Sequence, residues 1–318
     1  MRNLTPPGQA ARRPLPMATH RASPPDHVPR SLWLVLAGLT LIWGLNWTAM
    51  KVAITEVQPF TFRTLCLASG ALLLFGYLLA TGQSLTIPRA AWPRLALIAL
   101  FNITLWNLLV VFGLGLMQSG RAAIIAYTMP AWAIPLSVLV LGERITGRKL
   151  LGLALGMAGM ALLLLEEVAR LRGAPLGALM MLGAAWAWAI GTVLQKKIPV
   201  RVPVGTFTAW LMVAGGIPIH IGTFLIEDPR HLASISAPAL AGLAFNAIIV
   251  FGWAHWAWIK LSSSMSVTVF SLSMLMIPIV GVLSGALLLG ESPGWPEFAA
   301  LGLVLGSLLT VIVPQRSR

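Results

Sequence analysis

Charge is scarce in this sequence, and negative charge is scarcer: nine acidic residues stand against 22 lysines and arginines in 318. With 10% charged residues, 58% hydrophobic residues and a mean hydropathy of +0.85, the chain holds more apolar surface than one soluble core can bury. That composition excludes a soluble globular enzyme and points to an integral membrane protein. Cysteine is nearly missing as well. Cys66 stands alone inside an apolar run, which removes disulfides and thiolate metal sites. The sequence also has no phosphate-binding glycine loop, nucleophile elbow, metal-ligand cluster or paired acidic motif, so neither a metal nor a cofactor is expected. The alternation of barrel strands is absent too.

What is present is a series of apolar runs of about 20 residues, the length a helix rising ~1.5 Å per residue needs to cross ~30 Å of hydrocarbon. Charged and Pro/Gly breaks separate ten of them, at about 31–54, 59–81, 93–116, 119–141, 147–165, 174–195, 204–226, 237–259, 264–289 and 293–313. Residues 1–30 are Pro-rich, carry five arginines and no apolar stretch, and read as a disordered basic tail without a cleavable signal peptide. Residues 314–318 form a short basic end.

The formal net charge of +13 raises the question of nucleic acid, and its distribution answers it. Ten spans leave both termini on one side, and sixteen of the 22 basic residues fall there, while most acidic residues fall on the other. That asymmetry is the positive-inside pattern of a membrane protein with both termini in the cytoplasm, and nucleic acid is not expected as a partner.

The two halves of the chain also answer to each other. "YTMPAWAIPLSVLVLGE" at 127–143 aligns without a gap on the second-half run ending "GALLLGE" at 291, placing Pro130 on Pro278, Gly142 on Gly290 and Glu143 on Glu291. Upstream, Trp43 and Lys51 match Trp188 and Lys196, and "FN" at 101–102 matches "FN" at 245–246. Five spans per half is an odd number, so the second copy enters from the opposite face. The expectation is therefore an all-α membrane protein of two inverted five-helix repeats, 31–168 and 169–313, around a central cavity. One departure marks the halves as chemically unequal: Gln195 stands where the first half has Met50.

At these residues the chain resembles the EamA-type members of the drug/metabolite transporter superfamily, and is most similar to bacterial exporters of aromatic and other amino acids. "WGLNWTAMK" in the first span, Pro59 and Arg63 in "PFTFR", and "MP" followed by "LGERITGRKLLG" carry the resemblance over about 31–313. It implies a ten-helix inner-membrane carrier with a central cavity and helices five and ten at the edge.

Polar and aromatic residues on one helical face are the candidates for that cavity. Trp43, Asn46, Trp47 and Met50 recur at i, i+3, i+4 and i+7, and Trp188, Gly191, Thr192 and Gln195 occupy the matched positions of span six. Asn102 with Trp106 in span three, and Asn246 with Trp253 in span eight, add two more stripes. Tyr127, Ser271 and Met274 lie just before the matched prolines, where a freed backbone carbonyl can receive an ammonium, and Pro130 and Pro278 are the expected hinges. Each of these has an alternative as plain helix packing, and Lys51 can snorkel to the interface. Gly152/Gly156 and Gly302/Gly306 allow close helix approach, leaving monomer or weak homodimer open.

Together these readings lead to the expectation of a transporter, not an enzyme: an exporter of small amphipathic metabolites, amino acids foremost, operating by alternating access in the lipid bilayer. The expected span interiors hold no carboxylate, so facilitated diffusion is expected over proton antiport. Export of drugs or nucleotide-linked metabolites is the nearest alternative. A membrane-embedded lipid-modifying enzyme would need acidic clusters or a metal, and a scaffold or sensor would need an output domain. Reporters fused after Arg318 and before Leu32 should both read cytoplasm, and one in the 166–173 loop should read the outside; a cytoplasmic reading for that loop would remove the inverted repeat.

Overall fold

The computed structural model describes residues 29–169, 176–264 and 276–312. All regular structure among them is helical. In chain order the helices are α1 (Arg30–Ala53), α2 (Pro59–Ala80), α3 (Arg89–Gly115), α4 (Ser119–Leu141), α5 (Gly147–Ala169), α6 (Leu176–Lys197), α7 (Val204–Ile226), α8 (Ala237–Leu261), α9 (Met276–Leu289) and α10 (Trp295–Ile312). Seven of them, α1 to α4 and α6 to α8, are long and apolar enough to cross a membrane, and α9 and α10 are shorter apolar helices. The chain is a helical multi-pass membrane protein. The helical turns of α8 continue to Ser264, past the boundary expected at 259, because "KLSSS" offers no proline or glycine to stop them.

Two helices depart from α geometry at matched places. α3 winds as a π-helix over Leu100–Leu105, and α8 does so over Phe245–Ala254, so each wide segment contains its "FN" pair. A π turn leaves backbone carbonyls to other partners. In α3 the Asn107 carboxamide donates to the Ile103 carbonyl at 2.8 Å, and in α8 a ring nitrogen of His255 lies 2.9 Å from the Val250 carbonyl. α4 breaks after Ala126 and resumes at Met129, with the Thr128 hydroxyl donating to the Ile125 carbonyl at 2.6 Å. Pro130 falls in the first turn of the resumed helix, where its missing N–H is not required.

Helix ends set the arrangement of the bundle, because the first N–H and last C=O groups of any helix lack internal partners. α2 and α4 carry no side-chain cap of their own. Instead Glu227, at the end of α7, accepts from the Phe60 and Thr61 N–H groups of α2 at 2.9 and 2.7 Å. Glu291, after α9, accepts from Ser119 and Gly120 of α4 at 2.6 and 3.1 Å. Glu56, after α1, accepts from the backbone and hydroxyl of Ser236, the N-cap of α8, and these bonds hold its carboxyl below the usual range. The complementary case is Lys51, expected to snorkel. Its ammonium donates to the carbonyls of Leu114, Gly115 and Met117 at 2.7, 3.1 and 2.9 Å, closing the C-terminal end of α3. Negative groups at N-termini and a cation at a C-terminus also match the helix dipoles. At the same end Arg121 of α4 pairs with Glu297 of α10, both buried.

α5 and α10 pack closely against each other. A Cβ on Gly152 would collide with Thr310 of α10 and one on Gly156 with Ala131 of α4, and the Ser307 hydroxyl donates to the Gly152 carbonyl at 2.6 Å. That glycine pair is thus taken up inside the chain. Replacing Glu227 by glutamine removes the charge and leaves one acceptor oxygen for two N–H groups, so it should destabilise the detergent-solubilised protein by about 1–2 kcal/mol in thermal unfolding. Glu56→Gln, at an exposed site, should shift it far less.

Candidate functional site

A cavity of about 650 Å³ opens at the end of the bundle opposite these carboxylate caps. It lies between the second half of α4, α6 and the near ends of α5 and α10, and its size is that of a small-molecule pocket. Met129, Pro130, Ala133 and Ile134 form one wall and Trp188, Ala189 and Thr192 the other. Glu143, Arg148, Lys149 and Lys196 surround the mouth.

The α6 wall is built by three contacts that only the fold brings together. Asn102 of α3 donates to the Trp188 carbonyl at 3.1 Å and accepts from the Gln195 carboxamide at 2.9 Å. Its approach needs Gly191, since a Cβ there would run into the Asn102 side chain. Trp106 of α3 then meets Trp188 with ring centroids 4.9 Å apart, an aromatic contact that fixes the cavity wall. Thr192 and Ser137 donate to carbonyls one turn back in their own helices, at 2.9 Å each, leaving hydroxyl lone pairs as acceptors.

The mouth is net positive. Glu143 accepts from Lys149 at 2.7 Å and has Lys196 at 3.6 Å. The Lys149 hydrogen bond, with the charges of Lys196 and Lys149, holds the Glu143 carboxyl below its ordinary value. Arg148 reaches the Thr310 carbonyl of α10 at 3.0 Å. One carboxylate among three cations gives the opening a field that attracts anionic groups.

Of the residues expected from sequence, Trp188 and Pro130 line this cavity, Trp106 and Asn102 support its wall, and Tyr127 occupies the break of α4. The others gather elsewhere. Trp43 packs against Trp258 and His255 of the α8 end at 5.3 and 6.3 Å, and Trp47 is buried against Gly281 of α9. Trp253 reaches Gly38 of α1, while Asn246 donates to the Gly242 carbonyl in its own helix at 3.0 Å. Pro278 is buried in the first turn of α9. Ser271 and Met274 lie outside the described residues. Glu143, Lys149 and Lys196 were not among the residues expected at a site: Glu143 and Lys196 entered only as repeat matches, and the two lysines as charge on one side. The signal was the repeat itself, which aligns Glu143 on Glu291 and Lys196 on Lys51.

The profile of the EamA-like transporter family matches residues 31–165 and 175–313. The uncharacterized transporter YoaV of Bacillus subtilis (strain 168) is 26% identical over 277 residues, 87% of this chain and 92% of YoaV. A protein of Escherichia coli (strain K12) named "Probable amino-acid metabolite efflux pump" is 26% identical over 304 residues, 88% of this chain and 94% of its own. The uncharacterized inner membrane transporter YedA of the same strain is 27% identical, covering 88% of this chain and 90% of YedA. A crystal structure at 22% identity superposes with a TM-score of 0.61 over 88% of this chain and 96% of its own, a shared fold.

Water in the cavity can be read by chemistry. A cysteine placed at Thr192 should react with an aqueous maleimide at least about tenfold faster than one placed at Thr48, which is buried between α1 and Ser284 of α9. Equal rates would mean that the cavity is not solvent-filled.

Proposed function

The chain belongs to the EamA-like transporter family, and from that premise we propose that it exports amino acids, aromatic and other neutral ones, across the bacterial inner membrane by alternating access. The observation that carries this is the cavity: ligand-sized, walled by Trp188, Met129 and Ile134, and charged only at its mouth. An apolar side chain fits such walls, and a zwitterionic head fits the opening. The name of the Escherichia coli efflux pump is consistent with that class.

All ten helices cross the bilayer in this proposal, as two inverted five-helix repeats. The paired π segments at "FN" support it, and so do the caps of α4 and α9. Gly142 and Gly290 both take positive φ, 69° and 65°, and the Glu143 and Glu291 N–H groups donate six residues back at 3.3 and 3.2 Å. The charge asymmetry sets the Glu143 end in the cytoplasm. The cavity then faces the cytoplasm, and the carboxylate caps of α2, α4 and α8 close the outer end. Pro130, beside the break of α4, and Pro278 are the hinges about which access changes, and the stripes of Trp43, Asn46 and Trp47 with Asn246 and Trp253 face the path in the other state.

Energy coupling follows from where the carboxylates are. Glu297 is buried but bound to Arg121, so it is committed to an ion pair, and transport proceeds down the amino-acid gradient. Purified protein in sealed liposomes should equilibrate labelled L-phenylalanine with no imposed ion gradient and show counterflow. Accumulation above equilibrium under a pH gradient, abolished by Glu297→Gln or His255→Ala, would establish proton coupling instead.

A further inference from the structure

Arg63 is a buried cation left without an anion among the described residues. It sits one turn inside α2 with 3% of its surface exposed. Its Nη2 donates to the Met50 sulfur of α1 at 2.9 Å, a weak acceptor, and its Nε finds no acceptor. No carboxylate pairs with it among the described residues, whereas Arg121, buried as deeply, has Glu297. A guanidinium offers a planar fork of N–H donors whose best partner is a carboxylate.

Two buried acceptors belong to the same seam. The side-chain oxygens of Asn46 in α1 and Asn246 in α8 have no donor. Asn46 is one turn before Met50, on the face of α1 that meets Arg63. α8 presses on that stretch of α1. A Cβ on Gly242 would stand 2.6 Å from the Ala49 carbonyl, and Asn246 is the next turn along. α2 and α8 are joined deeper in the bundle by the Ser69 hydroxyl, which donates to the Ala247 carbonyl at 2.8 Å. One unsatisfied cationic donor and two unsatisfied neutral oxygens therefore share the contact of three helices.

We propose that this seam of α1, α2 and α8 is a binding station for a zwitterion, in which Arg63 receives the carboxylate and the Asn46 and Asn246 oxygens receive the ammonium. It rests on the amino-acid reading above and assigns the two charged ends of the substrate to named groups. The station is separate from the cavity between α4 and α6. In this conformation the helices are packed over it, held at their ends by Glu227 on α2 and Glu56 on α8. It accepts substrate when that end of the bundle opens.

Three probes separate the charges: L-phenylalanine, 3-phenylpropanoate, which lacks the ammonium, and 2-phenylethylamine, which lacks the carboxylate. Each is titrated into the full-length protein in detergent, and the shift of the thermal midpoint gives an apparent affinity. The wild type should respond to phenylalanine most, to phenylpropanoate less and to phenylethylamine not at all. Arg63→Gln should weaken phenylalanine by at least about tenfold, Arg63→Lys should retain an intermediate response because the charge survives without the fork, and Asn46→Ala should lower phenylalanine to the level of phenylpropanoate. Should Arg63→Gln fail to fold, the lysine and Asn46 variants carry the test. Unchanged phenylalanine affinity in these variants, no response to either carboxylate, or a response to phenylethylamine equal to that of phenylalanine overturns the station. Equal responses to both carboxylates, lost together when Arg63 is changed, keep the carboxylate site and remove the amino-acid reading of the protein.

Discussion

Unsatisfied backbone groups at helix ends are the constraint on which this bundle depends. A helix that stops near hydrocarbon leaves N–H and C=O groups with little water to meet them, and each costs several kcal/mol if left alone, on the order of the estimates for unpaired groups in lipid. Here the answer comes from distant parts of the chain. Glu227 and Glu291 reach α2 and α4 from positions more than 160 residues away, and Lys51 reaches the carbonyls of α3 from 63 to 66 residues away. Glu56, Glu227 and Glu291, three of the nine acidic residues, thus join one helix to the start of another. A change at one of these caps alters both the end of a helix and the contact between two.

The two ends of the bundle differ because of how those charges are used. At one end carboxylates satisfy N–H groups, and Arg121 and Glu297 pair out of solvent's reach. At the other end Glu143 is shared between Lys149 and Lys196, side chains that remain partly or largely exposed, and space is left between α4 and α6. The same aligned residue types, a glutamate after a left-handed glycine and a lysine ending the first helix of each half, thus occur in a packed setting and in an open one. A carrier that exposes its site to each side in turn needs that pair of settings.

Polar side chains inside the bundle fall into two groups with different consequences. Asn102 is engaged at both ends of its carboxamide, by Trp188 and Gln195, and so holds helices in register and keeps an aromatic wall in place. Arg63, Asn46 and Asn246 retain unmet donors or acceptors in the interior, where leaving them so is unfavourable. Stability alone gives no reason for that second group, which is the ground for the proposed binding station.

The membrane class, the approximate helices and the likeness of the halves were legible in the sequence, because each depends on local length, hydropathy and spacing. Apolar runs of about 20 residues become helices in lipid whatever surrounds them, and Gly142 before Glu143 marks a helix end without reference to any partner. The wide turns of α3 and α8 left only a trace, the repeated "FN", since a π segment is fixed by what meets the freed carbonyls. The site was the least legible. Trp43 and Trp188 occupy matched positions, yet one packs against the end of α8 and the other lines the cavity. Helical periodicity fixes which residues share a face, but not which neighbour that face will meet. Arg63 could be counted as a charge near one end of a span, but its burial away from the carboxylates of the described residues is a property of three helices together. Only their packing decides whether a charge reaches water, a partner or neither.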